Sequence, residues 1–224
     1  VADGGGARQE VIKATSYGGY QGLLYREWEI ANEQKVGELS GGRIGYIHIA
    51  GMNRREWSKF EREFYSELFD KDAIVIDVRF NGGGWLHEDL FEALDRNVFG
   101  MAGPRGAERV VQPPGAYKKP KALLINARSY SDAEIFPAGW RALGLGPIVG
   151  IDTGGAVIGT TGFTLIDGSW VRLPVEGWWE LDGRNLETSG TAPDYYVDVH
   201  PDELKAGFDA QLAKAVELLL AELQ

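Results

Sequence analysis

Two near-continuous apolar runs, Ala73-Ile74-Val75-Ile76-Asp77-Val78 and Ala122-Leu123-Leu124-Ile125-Asn126, constrain the fold more than any other feature of this sequence. Strands buried on both faces lose the apolar–polar alternation of a half-exposed strand, and parallel sheets are where such strands occur. Ahead of the first run, Arg43 to Ile49 reads as a strand. Arg54 to Phe69 reads as an amphipathic helix, with Trp57, Phe60, Phe64 and Leu68 at helical spacing. Helices are also expected over Leu23 to Leu39, about Leu86 to Asn97, 132–142 and Asp209 to Leu223, with a short strand near Ile148 to Ile151. Strands alternating with helices predict an α/β fold, a mostly parallel sheet with crossover helices. From Gly162 to Val199 the pattern turns to short strands and glycine turns, a β-rich C-terminal section. No second core is evident. One domain is therefore expected over 23–224, behind a polar, glycine-rich, flexible lead-in at 1–22. The opening Val1-Ala2-Asp3-Gly4-Gly5-Gly6 has neither a methionine nor a signal-peptide pattern and reads as a linker remnant of a longer protein.

Parallel sheets collect ligands beyond the carboxyl ends of their strands. Two such ends carry chemistry here. The first run leads into Asn81-Gly82-Gly83-Gly84, whose N–H groups can face an anion or a developing oxyanion. The second leads into Ser129-Tyr130-Ser131-Asp132-Ala133-Glu134, where Ser131 sits at a strand-to-helix corner. A serine so placed can be a nucleophile. It can equally be a helix cap, because Ser131-x-x-Glu134 fits the capping box.

A nucleophilic serine needs a base. His48 lies within a strand and reads as structural, His87 opens a helix near the glycines, and His200 reads as a surface residue before Pro201. No lysine occurs between Lys121 and Lys205. The chain thus shows a nucleophile and an oxyanion platform without an evident base. Cysteine is absent, which excludes thiol catalysis, disulfides and Cys-ligated metals. The formal charge is −10 with scattered basic residues, which argues against nucleic acid and anionic membrane as partners.

Three ordered segments carry a resemblance: Asp77-Val-Arg-Phe-Asn-Gly-Gly-Gly84, Ser129-Tyr-Ser-Asp-Ala-Glu-Ile-Phe136 and Glu187-x-x-Gly190-x-x-Pro193-Asp194. Together they resemble the catalytic core of the C-terminal-processing (tail-specific) serine peptidases, and most closely the tricorn branch. Further agreement comes from Tyr25-Arg-Glu-Trp28, Gly41 to His48, Leu143 to Gly150 and Gly207 to Leu212, so the resemblance spans about residues 23 to 224. It implies a crotonase/ClpP-like core and a serine peptidase acting on peptides, with no metal or organic cofactor. By the resemblance, Ser131 is the nucleophile. The N–H of Asp132, with that of Gly83 or Gly84, forms the oxyanion hole, and Glu187 helps orient the catalytic histidine through a serine. A homo-oligomer is implied, and so is a cytoplasmic location, although the sequence leaves the compartment open.

One departure matters. Where the other branch carries a lysine base, this chain has Asp152-Thr153-Gly154-Gly155-Ala156, and no Ser-His dipeptide occurs in it. The resemblance to the tricorn branch implies a Ser-His pair well upstream, so the histidine base and its serine partner are expected from an N-terminal segment, from another chain, or from nowhere. Two readings from other classes stay open: a non-catalytic peptide- or ligand-binding module that has lost the base, and a crotonase-like acyl-CoA enzyme.

Overall fold

The computed structural model describes residues 14–224. Five strands form a parallel sheet: β1 (Ile44–His48), β2 (Ala73–Asp77), β5 (Lys121–Ile125), β6 (Ile148–Gly150) and β9 (Tyr195–Tyr196), hydrogen-bonded in that order. Side chains alternate between the two faces of each central strand. Ile74, Ile76, Leu123 and Ile125 point to one side, where they meet Phe60, Phe64, Leu90, Phe136 and Trp140. Val75, Ala122 and Leu124 point to the other, against Val36, Leu212, Val216 and Leu219. The near-continuous apolar runs thus mark strands buried on both faces, as expected.

Helices α2 (Arg54–Glu63) with the turn that follows it, α3 (His87–Leu94) and α4 (Asp132–Ala142) bring the first set of partners, and α1 (Tyr17–Ser40) and α6 (Ala210–Glu222) the second. The helix expected to begin at Leu23 begins at Tyr17, capped by the Ser16 side chain accepting the N–H of Gly19. Residues 17–22 of the expected lead-in are therefore helical, and 1–13 lie outside the described residues. The helix expected over Arg54 to Phe69 changes to a π-turn at Phe64–Leu68.

Two antiparallel hairpins lie outside the main sheet. β7 (Gly159–Thr164) and β8 (Trp170–Glu176) form the expected ribbon, closed around Asp167-Gly168. β3 (Gly100–Ala102) pairs with β4 (Val110–Gln112), and a short helix α5 spans Pro201–Lys205; neither was anticipated. β9 falls within the stretch read as a β-rich C-terminal section and completes the main sheet beside β6.

Behind the site a buried ionic cluster pins β2 to α6. Asp77 is wholly buried and accepts from the Arg79 guanidinium, at 2.7 Å from Nη2, and from the Tyr46 hydroxyl at 2.9 Å. Arg79 Nη1 reaches Asp209 at 2.7 Å and Gln211 at 3.1 Å. Burial alone raises the Asp77 carboxyl, but the adjacent guanidinium and its hydrogen bonds outweigh this and hold it below the usual carboxylate range. His48 is buried beside the cluster, its Nε2 paired with the Tyr25 hydroxyl at 2.5 Å, and burial lowers its pKa.

Both shifts are downward, so both groups bind fewer protons folded than unfolded at intermediate pH. The His48 contribution is complete above about pH 6.5, and that of Asp77 above about pH 3.9. Each is lost as pH falls toward the folded pKa. Melting temperature is expected to hold steady above about pH 7 and to fall below about pH 6.5. A series of melts across pH checks this, and His48→Gln should remove the first step of the fall.

Candidate active site

The carboxyl ends of β2 and β5 are laced together. Asn126 Oδ1 accepts the N–H of Phe80 at 3.1 Å, and Ser129 Oγ donates to the carbonyl of Val78 at 2.9 Å. Asn81, fully buried, is the hub. Its Nδ2 donates to Ile49, its Oδ1 accepts the N–H of Gly83, both at 2.8 Å, and its carbonyl accepts the N–H of Tyr130 at 2.9 Å. These bonds set the glycine turn against the serine corner.

Ser131 occupies φ 54°, ψ −120°, a conformation that L-residues rarely adopt. Its N–H is shared between the Ala156 carbonyl at 3.0 Å and Glu134 Oε1 at 3.1 Å. Ser131 and Glu134 keep the capping-box arrangement, but the Glu134 N–H bonds the Ser131 carbonyl at 2.8 Å and no hydrogen bond of good geometry ends on Oγ among the described residues. Glu134 thus supplies the carboxylate half of a cap while Oγ stays uncommitted. Unusual backbone at a serine with a free hydroxyl fits a presented nucleophile better than an ordinary cap.

Gly83 lies so close that a Cβ there would sit 2.6 Å from Ser131 Cβ and 2.7 Å from the Tyr130 carbonyl oxygen. With its φ of +93°, Gly83→Ala combines a backbone clash with a left-handed strain of about 1–2 kcal/mol. Melting temperature and reactivity of Ser131 are both expected to drop, measured by a thermal melt and by active-site labelling. The Gly83 N–H is spent on Asn81, whereas those of Gly84 and Asp132 have no partner among the described residues.

The Asp132 carboxyl turns away to the start of α3, accepting the N–H of Leu86 at 2.5 Å and of His87 at 3.3 Å, and it pairs with His87 Nδ1. It caps a neighbouring helix from outside. His87, which opens α3 beside the glycines as expected, is buried, with its ring against Trp85 and Trp178. Beside it lies a cavity of about 540 Å³, lined by His87, Phe91, Ile135, Ala138, Trp178 and Leu186, one helical turn from Ser131.

Glu187 stands across a single chain segment from Ser131. Its Oε2 accepts the N–H groups of Val157 at 2.7 Å and Ile158 at 3.1 Å, directly after Ala156, whose carbonyl holds Ser131. The structure therefore brings Ser131, Asp132, Gly83, Gly84 and Glu187 to one end of the sheet. No base is bonded to the serine among the described residues: no hydrogen bond joins Ser131 to His48, His87 or His200, and Lys121 begins β5 at the opposite end. Asn81 and Glu134 were missed as site residues, although the Asn-Gly-Gly-Gly and Ser-x-x-Glu spacings held both signals.

Known proteins resemble this chain in sequence and in fold. Residues 43–197 match peptidase family S41. Tricorn protease homolog 1 of Streptomyces coelicolor is 36% identical over 204 residues, covering 90% of this chain and 19% of that protein. The tricorn protease of Thermoplasma acidophilum is 34% identical over 90% of this chain and 19% of its own length. A tricorn protease crystal structure superposes with a TM-score of 0.81 at 33% identity, covering 91% of this chain and 20% of that one. The photosystem II D1 C-terminal processing protease shares the fold, with a TM-score of 0.53 at 23% identity over 76% of this chain and 46% of that one. The chain spans about a fifth of the length of these tricorn relatives. On sequence and fold together, the chain belongs to peptidase family S41.

Proposed function

We propose that this chain is the nucleophile-bearing part of a tricorn-like serine peptidase, hydrolysing peptides through an acyl-enzyme on Ser131. One observation carries the reading: an uncommitted Ser131 Oγ at a corner of unusual backbone, packed against Gly83 and beside the unpartnered N–H groups of Asp132 and Gly84. Ser131 Oγ attacks the peptide carbonyl as its proton passes to a histidine. Asp132 and Gly84 N–H collect the oxyanion charge, and the leaving amine takes the proton back. Water then repeats the sequence on the acyl group and releases the acid.

The histidine and its serine partner come from a segment N-terminal to this chain or from another chain, with Glu187 orienting them from beyond Val157. Assembly into a homo-oligomer belongs to the same reading. The cavity beside Ile135 receives the substrate side chain next to the scissile bond. Its apolar lining favours large apolar side chains.

A binding module is the second reading, since no base is bonded to Ser131 among the described residues. A peptide panel separates the two, assayed on the protein extended upstream to include a Ser-His pair. Turnover that falls at least about tenfold when a large apolar residue before the cleaved bond becomes alanine supports the peptidase. Peptide binding without turnover supports the module. Hydrolysis of acyl-CoA thioesters in place of peptides supports the crotonase-like alternative.

A further inference from the structure

Glu134 is wholly buried, yet no cation faces it among the described residues. Oε1 accepts the N–H of Ser131 at 3.1 Å and of Ala156 at 2.8 Å. Oε2 accepts the N–H of Gly155 at 2.5 Å and the Thr153 hydroxyl at 2.6 Å. Four donors, together with its place in the first turn of α4, satisfy the buried charge. Helix capping requires only the first of them. The other three fix the segment 153–156.

That segment joins the two halves of the site. Ala156 returns its carbonyl to the Ser131 N–H at 3.0 Å, and Gly155 accepts the N–H of Thr188 at 2.9 Å. The next two N–H groups, of Val157 and Ile158, hold Glu187. From the far side, Thr153 Oγ1 accepts the N–H of Thr191 at 2.7 Å, and Thr191 Oγ1 donates to the Glu134 carbonyl at 2.9 Å. We propose that Glu134 is a positioning residue whose single carboxylate sets Ser131 and Glu187 relative to one another, so that the nucleophile and the acidic residue move together or not at all. This rests on the peptidase reading for its catalytic consequence, but not for its structural one.

Glu134→Gln tests it, because an amide must turn two donors toward groups that already donate. In the chain as it stands, hydrogen exchange is expected to quicken about tenfold at Ser131, Gly155 and Ala156. The same acceleration is expected at Val157 and Ile158, which Glu134 does not touch, while Ile74, Val75, Leu123 and Leu124 keep their protection. Unchanged exchange at Val157 and Ile158 overturns the proposal. Should Glu134→Gln fail to fold, Thr153→Val removes one of the four donors and should speed the same amides.

In the upstream-extended protein, kcat for a peptide should fall about 100-fold with KM within about twofold. Adding Glu187→Gln to Glu134→Gln should then cost little more. Fully multiplicative losses contradict the coupling. If the extended protein hydrolyses nothing, the peptidase reading falls, and the exchange result still decides the positioning.

Discussion

Ser131→Ala in the upstream-extended protein is expected to abolish peptide hydrolysis, with a loss of at least about 1000-fold in kcat. Its melting temperature should stay within a few degrees. The asymmetry follows from the local structure. Ser131 keeps the capping-box arrangement with Glu134, but the Glu134 N–H bonds the Ser131 carbonyl at 2.8 Å rather than Oγ. Removing Oγ therefore takes little from the fold, while the backbone N–H keeps both acceptors. A capping serine behaves the other way, because its loss costs about 1 kcal/mol of stability and leaves chemistry intact. Turnover and thermal melts on the same preparation distinguish the two roles. The alanine variant should still bind peptide, since the cavity lined by Phe91, Ile135 and Trp178 is untouched.

The largest loss of stability is expected from Arg79→Met. It strips the guanidinium from Asp77, whose carboxylate is fully buried. Breaking one side of a buried pair costs about 3–5 kcal/mol, because the remaining charge is stranded in a low dielectric. For a domain of this size that corresponds to a fall of roughly 6–20 °C in melting temperature. The same change frees Asp209, so α6 loses its tie to the end of β2. Pairing Arg79→Met with Asp77→Leu should recover much of the loss, since an apolar pair of similar volume leaves no orphaned charge. Calorimetric melts of the two single variants and the double variant provide the check. Near-additive losses would mean that packing, not the ion pair, carries the stability here.

The sheet was legible because its evidence is local: β2 and β5 are short, apolar throughout and each followed by a helix. The Ser131 corner was legible for the same reason, being written in six consecutive residues. What escaped was written between distant residues. Glu134 looked like half of a capping box, and nothing near it in sequence announces Thr153, Gly155 and Ala156 as its partners. The Asp132 carboxyl meets Leu86 and His87 across 45 or more positions. β9 is two tyrosines long, too short to show any periodicity, and is placed by β6 rather than by its own pattern. The turn of Asn81 to Gly84 was recognised as glycine-rich. Its free donor emerged only once the Gly83 N–H was seen bonded to Asn81.

The most direct test of the central claim is the site and rate of reaction with a fluorophosphonate probe. Intact-mass analysis and peptide mapping should place one adduct on Ser131 in the upstream-extended protein. Labelling should be at least about 100-fold slower in the isolated chain, because the proposed mechanism draws its general base from outside it. An extended protein that carries the Ser-His pair and remains unlabelled at Ser131, or is labelled at another serine, would contradict the account.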